Sequence, residues 1–447
     1  MKKHFLIIVL CLTYGIANAQ TFTLDSCKKL TIINNKKIIE ARLKVHESEQ
    51  VKKQAVTKYF PHVSGGFVAM KADDYLFTEQ IPEANLPVYD GNPANIATAN
   101  QFAYFPGMDI NLLDYANIGY IAAVQPVYMG GQIRNGNKLA ELGIDITKHK
   151  LILSEEEALI ITEERYWTLI SLTEKMNTIL SYEVLLNKLH DDVSVSYKAG
   201  LIGKADLLKV ELKQNELQSD KLKLQNGIDM VGMALCQNMG IDYLPTVKFE
   251  KENLKLAFDE TVFLNPDTII QDRQEIQMLK KAIIAEGLQK KLVRGETLPQ
   301  LALGVQGLYL DMMEDQSTHG LAFVTLNVPI SGWWEGSHKM KEHQIKIDIA
   351  QNRLEETGEL MVLQIEKAHK DLVESHFQID IAKKTLEQVE EHLKVTEDNY
   401  NAGLIGTSDM LEAQAMYQKA EDNYTDSLCN SKIRLAHFRK VTVTLDN

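Results

Sequence analysis

The sequence predicts a mainly α-helical protein with a membrane β-barrel portion, and three observations carry that reading. Long stretches lack glycine and proline, a tandem repeat divides the chain, and two pairs of alternating apolar segments follow an export signal. Composition sets the outer bounds: 447 residues, 24% charged and 45% hydrophobic, with 10 prolines and 25 glycines. A disordered or collagen-like chain is excluded, and the length allows two or three domains.

The first 19 residues read as a cleavable secretory signal, with Lys2-Lys3-His4 before an apolar run from Phe5 to Leu12 and a small-residue exit at Ala17-Asn18-Ala19. Losing Lys2 and Lys3 moves the formal charge from −13 to −15. That balance is too acidic to neutralise phosphates, so no nucleic-acid partner is expected. Cys11 leaves with the signal, while Cys27, Cys236 and Cys429 have neither a disulfide framework nor zinc spacing. Leu10 precedes Cys11 where a lipoprotein signal needs a small residue, so no lipid anchor is expected. No mature stretch offers about 18 uncharged apolar residues. An exported chain of this kind is periplasmic, secreted, or held in an outer membrane by strands.

The repeat is plain when Tyr197–Leu208 (YKAGLIGKADLL) is laid over Tyr400–Leu411 (YNAGLIGTSDML), identical at eight of twelve positions. The offset of 203 also carries Pro126 onto Pro329, whereas Pro61 answers Pro299 at 238. The first half therefore holds 35 extra residues between its two proline landmarks. The expected organisation is a signal at 1–19, a first repeat at 20–240, a linker at 241–265 and a second repeat at 266–447.

Each half contains a long helical region. Glycine and proline are absent from Ile144 to Ala199, from Glu359 to Ala402 and from Thr407 onward, where Leu, Glu, Lys, Gln and Ala dominate. A helix from Gln132 to Lys198 would be about 100 Å long. Apolar residues around Tyr166, Trp167, Leu169, Ile170, Met176 and Ile179 fill more than one narrow stripe, as in a helix packed on two sides; a coiled coil gives a similar pattern.

Between the helices lie strand pairs at Val63–Lys71 with Asn117–Tyr128, and at Leu301–Tyr309 with Leu321–Ile330. They flank loops of about 45 and about 11 residues. Ile118, Tyr120, Ala122 and Val124, with Leu321, Phe323, Leu301, Leu303 and Val305, are expected on one outward face; Gly119, Gln125, Gly304 and Gln306 fall on the other. Apolar-out alternation suits a membrane barrel, although a half-buried soluble sheet shares it. Export tilts the balance toward the barrel. Four strands cannot close alone in lipid, so an oligomer follows, with eight strands from two copies or twelve from three.

The whole arrangement resembles the TolC family of outer-membrane efflux channels: a signal, two repeats, a hairpin feeding long paired helices in each, and a turn of the form Tyr-x-x-Gly then Asp-x-Leu. Tyr197, Gly200, Asp206 and Leu208 carry it, then Tyr400, Gly403, Asp409 and Leu411, with Pro126-Val127 and Pro329-Ile330 at the strand-to-helix transitions. The resemblance implies a homotrimer with a twelve-strand barrel in the outer membrane and a helical tunnel through the periplasm. It also implies an adaptor (membrane fusion) protein and an inner-membrane RND or ABC-type transporter as partners, contact with outer-membrane lipid, no cofactor and no enzymatic chemistry.

In that family the glycine turns form the periplasmic tip, where the tunnel closes and adaptors dock. Asp409, Glu412 and Asp206 are the expected constriction and selectivity residues; an aspartate in a first helical turn is equally explained by the helix dipole. Where some members have an arginine two residues after the second turn glycine, this chain has Ile405, matched by Ile202. Apolar contact among Leu201, Ile202, Leu404 and Ile405 is expected in place of a polar latch. Trp333 and Trp334 read as interfacial aromatics or as packing at a strand-to-helix bend. His338 with His343, and His190 beside Asp191 and Asp192, lack the spacing of a helical zinc pair, so no metal is expected. Two other functions compete with a pump's exit duct: a type I protein secretion channel and a periplasmic coiled-coil spacer.

Overall fold

The computed structural model describes residues 21–244, 248–250, 265–312 and 315–442. The expected signal segment and most of the expected 241–265 linker lie outside the described residues. The described chain is mostly helical. Its helices are α1 (Leu24–Asn34), α2 (Lys36–Thr57), α3 (Gln132–Lys198), α4 (Lys204–Met239), α5 (Pro266–Asp272), α6 (Gln274–Glu296), α7 (Gly332–Asn401) and α8 (Thr407–Thr442). The strands are β1 (Thr21–Phe22), β2 (His62–Lys71), β3 (Phe77–Ile81), β4 (Ala84–Pro87), β5 (Phe102–Phe105), β6 (Met108–Leu112), β7 (Tyr115–Met129), β8 (Lys248–Phe249), β9 (Gln300–Met312) and β10 (Asp315–Asn327).

The duplication is visible element by element. A shift of 203 carries α4 onto α8 at both ends and the end of α3 onto the end of α7. A shift of 238 carries the starts of α2 and β2 onto those of α6 and β9, and Asn35, which divides α1 from α2, onto Arg273, which divides α5 from α6. Two compact units cut across these repeats. One comprises Met1–Glu49, Leu142–Ile284 and Ile347–Asn447, the other Gln50–Glu141 and Ala285–Lys346.

The first unit is helical, apart from the short parallel pair β1 and β8. One of its cores gathers Phe22, Cys27, Tyr166, Trp167, Leu235, Cys236, Met239 and Cys429, with Tyr166 meeting Trp167 edge-on at 5.4 Å. Cys27, Cys236 and Cys429 are thus small core residues, and burial pushes the Cys236 thiol up from its ordinary pKa. The helix breaks clasp neighbouring helices. Asn35 donates to the Asn238 carbonyl at 2.8 Å and accepts from the Lys37 amide at 2.9 Å. In the second repeat Arg273 donates to the Lys440 carbonyl, pairs with Glu275 at 3.0 Å, and lies 3.8 Å from Glu156. The Arg273 and Glu156 side chains are only 4% exposed, so each charge depends on its neighbours for solvation.

The second unit holds an antiparallel sheet in the order β10-β9-β7-β2. Its register corrects the expected faces. Ile118, Tyr120, Ala122 and Val124 share a face with Leu321 and Phe323, but β7 pairs with β9 so that Ala122 opposes Gln306 and Val124 opposes Gly304. Leu301, Leu303 and Val305 therefore belong to the opposite face, with Ile121, Val63, Phe67, Val324 and Leu326. Alternation fixes two faces within a strand; only the pairing register says which faces join, and a one-residue slip exchanges them. Seven side chains of this second face, Val63, Phe67, Ile121, Leu303, Val305, Val324 and Leu326, are exposed.

Boundaries differ as well. The loop of about 11 residues expected in the second hairpin is largely strand, since β9 and β10 stay paired out to Met312 and Asp315. The long loop of the first hairpin is a ladder of smaller ribbons, β3 with β6 and β4 with β5. Pro126 sits inside β7, beside a register shift between Pro126 and Tyr128 that accommodates a residue with no amide to donate. Pro329 lies in the turn after β10 and accepts from the Gly332 amide at 3.1 Å.

Removing one member of a buried charged set leaves the others without solvation, at a cost of about 3 to 5 kcal/mol. Arg273→Ala should accordingly lower the urea midpoint of the helical unit well below that of Lys37→Ala, an exposed control. Equal midpoints would show that Arg273 carries no such burden.

Candidate functional site

The two helix reversals at 199–203 and 402–406 are built alike. After α3, the Gly200 amide donates to the Tyr197 carbonyl at 3.0 Å and the Leu201 amide to Ser196 at 2.9 Å. After α7, Gly403 donates to Tyr400 and Leu404 to Asn399, both at 2.9 Å. This paired closure satisfies the last carbonyls of each helix and requires a left-handed residue, supplied by Gly200 at φ 75° and Gly403 at φ 73°. A Cβ at either glycine would meet nothing within 4 Å, so the constraint there is torsional rather than steric.

The aspartates three residues after Gly203 and Gly406 have diverged in use. Asp409 turns back and accepts from the Gly406 amide at 3.2 Å, capping α8, while remaining exposed as Glu412 does. Asp206 instead pairs with Lys209 at 3.4 Å, and Lys209 also donates to Ser408 at 2.8 Å, tying the start of α4 to that of α8. Lys209 occupies the repeat position of Glu412. The first turn thus carries balanced charges and the second carries two carboxylates, a difference the aligned repeats displayed and the expected site residues did not include.

The apolar turn residues also divide. Ile202 and Tyr400 pack against a cluster formed by Ile179, Tyr182, Leu186, Leu189, Val193, Val210, Leu217 and Met410. Leu201 and Leu404 project outward at 78% and 74% exposure, Tyr197 is exposed, and Ile405 is half-buried. Beneath the turns, burial pushes the Tyr182 phenol up to about 12, with the Glu216 carboxylate adding to the effect.

In the other unit, the Trp333 indole donates to the Thr297 carbonyl at 2.9 Å, while Trp334 is exposed. Tyr59, Phe60 and Tyr128 are further exposed aromatics at strand ends of this unit. His343 pairs with Glu286 and His190 with Asp191. Among the described residues no group of three or more His, Cys, Asp or Glu side chains could hold a metal ion, and no helix is long and apolar enough to cross a membrane.

Residues 265–441 match the family described as outer membrane efflux protein. The fold matches the Campylobacter jejuni CmeC outer membrane channel with a TM-score of 0.75 at 14% identity, covering 94% of this chain and 85% of that one. It matches the Vibrio cholerae outer membrane protein VceC at 0.69 and 12% identity, covering 94% and 95%. The open state of the Neisseria gonorrhoeae MtrE channel matches at 0.70 and 11% identity, covering 94% and 88%. No curated protein matches in sequence. The fold is that of the TolC-like outer-membrane channels, and proteins of the efflux family transport without catalysing a reaction.

Asp422, inside α8, has its carboxyl pushed from 3.8 to about 6, by burial above all, with Asp426 and Glu421 adding and Lys175 opposing. The folded chain holds a proton there that the unfolded chain has lost, so this contribution to stability is fully favourable below pH 3.8 and declines as pH rises to about 6. Asp422→Asn should raise the unfolding midpoint at neutral pH and leave it nearly unchanged at the acid end of that window. A midpoint lowered at neutral pH would mean that the ionised carboxylate stabilises this helix.

Proposed function

We infer from this fold and from the efflux-protein domain over 265–441 that the chain is one subunit of a TolC-type outer-membrane channel, a homotrimer serving as the passive exit duct of a tripartite efflux pump. The observation that carries the reading is the four-stranded sheet. It has two unpaired edges, β2 and β10, and a face of exposed Val, Ile, Leu and Phe side chains. In hydrocarbon such a face is favourable and such edges are not, since each unpaired backbone group costs several kcal/mol. Joining β10 of one copy to β2 of the next resolves both, and three copies give a closed twelve-strand barrel of ordinary size.

The matched family is described as an efflux protein; on this reading an adaptor protein links the channel to an inner-membrane transporter. The helix reversals then form the periplasmic tip. Exposed Leu201 and Leu404 present apolar contacts for an adaptor, and Trp333, Trp334, Tyr59, Phe60 and Tyr128 form an aromatic girdle at the inner rim of the barrel. Asp409 and Glu412 supply the acidic ring of the constriction, repeated by symmetry, while Asp206 contributes little because Lys209 balances it.

In planar bilayers Asp409→Ala and Glu412→Ala should each reduce preference for cations, and the double variant should reduce it further. Asp206→Ala should change it least. Selectivity untouched in the double variant would remove these carboxylates from the pore. At the tip, a left-handed residue with a side chain costs about 1 to 2 kcal/mol, small beside a trimer's buried surface. Gly403→Val should therefore leave trimers in the outer membrane but abolish adaptor crosslinking and efflux; normal efflux with intact trimers contradicts the assignment.

A further inference from the structure

The enlarged first hairpin carries a second amphipathic surface. In the β3–β6 ribbon, Phe77, Glu79 and Ile81 lie on one face with Leu112, Ile110 and Met108, while Thr78, Gln80, Asn111 and Asp109 make up the other. One face is wholly polar, with Thr78 bonded to Asn111 at 3.1 Å. The other is apolar except for Glu79, and its Phe77, Met108, Ile110 and Leu112 are exposed. A two-stranded ribbon is marginal in water unless its apolar face is covered.

The ribbon is a built continuation of the barrel hairpin. The ladder passes from β2 and β7 through the Ala72 amide to Asp114 at 2.7 Å and the Leu76 amide to Leu113 at 3.2 Å. Leu113 adopts φ 65°, the left-handed region that a branched side chain seldom occupies. It lies between β6 and β7, where the chain passes from the ribbon into the sheet.

We propose that the apolar face of this ribbon seats on the adjoining copy of the chain, making an intersubunit collar at the external mouth of the channel. The inference rests on the channel reading. It follows from continuity: the ribbon grows from β2, the edge that must receive β10 of the next copy, so the neighbour lies beside its base. Lipid is the poorer occupant. Ten residues of β2 already suffice to span a bilayer's apolar core. Lys71, Asp73, Asp74 and Asp114 then separate the lipid-facing stripe from the ribbon, and Glu79 interrupts the apolar face itself.

A photoreactive phenylalanine analogue placed singly at Phe77 or Ile110 in the full chain, irradiated in intact outer membranes, tests this. Probes at Thr78 or Asn111 serve as the polar-face control, and one at Leu326 on β10 reports the strand edge. The proposal expects copy-to-copy adducts from Phe77 and Ile110, lost when the probe moves to Thr78 or Asn111. Adducts to lipid, to another protein or within one chain would overturn it, as would none at all. If Leu326 gives adducts to a second copy or to lipid while Phe77 and Ile110 give no copy-to-copy adduct, the collar fails while the channel stands; if Leu326 reacts with neither, the channel reading itself fails.

Discussion

On the channel reading, backbone hydrogen bonding in lipid is the constraint on which the rest of this molecule depends. A sheet of four strands leaves the outward-facing amides and carbonyls of β2 and β10 without partners, and hydrocarbon offers none. On the channel reading the chain cannot fold into its membrane as a monomer, and the exposed apolar stripe from Val63 to Leu326 becomes intelligible as a lipid-facing surface. The long helices follow from the same demand. Each hairpin returns its chain to one side of the sheet, where α3 and α7 begin. Their reversal at a left-handed glycine then sends α4 and α8 back against them.

Duplication supplied that plan twice, and the places where the copies differ are informative. Asn35 and Arg273 occupy the same break, yet one makes neutral hydrogen bonds and the other enters a buried charged set with Glu156 and Glu275. Lys209 and Glu412 share a position and carry opposite charges. Tyr400 packs into the cluster beneath the turns, while its counterpart Tyr197 faces outward. Each divergence converts a symmetric scaffold into one with distinct faces.

Much of this was legible from residues alone. The absence of glycine and proline marked α3, α7 and α8, and the duplicated AGLIG segments located both reversals with their glycines. Other features escaped for physical reasons. Which strand faces join is decided by a pairing register that no single strand encodes, so Leu303 and Val305 were expected beside Tyr120 when they lie opposite. The β3–β6 ribbon was hidden in a region whose Asn, Pro, Asp and Gly signal turns, although Met108–Leu112 alternates and Phe77–Ile81 does so except at Glu79. Lys209 reaching Ser408, and Arg273 beside Glu156, are long-range pairings with no local signature. Asp422 is one aspartate among many until packing removes its water.

Closure of the sheet between copies is tested most directly by disulfide trapping across the two edges. Val63→Cys on β2 would be combined in turn with Ala322→Cys, Val324→Cys or Leu326→Cys on β10, positions that share one face; the native cysteines are buried and stay out of the reaction. Oxidation in intact outer membranes should give, for at least one pairing, a covalent ladder that ends at three chains. Monomers at every pairing, or bridges formed only within one chain, would contradict an intersubunit barrel.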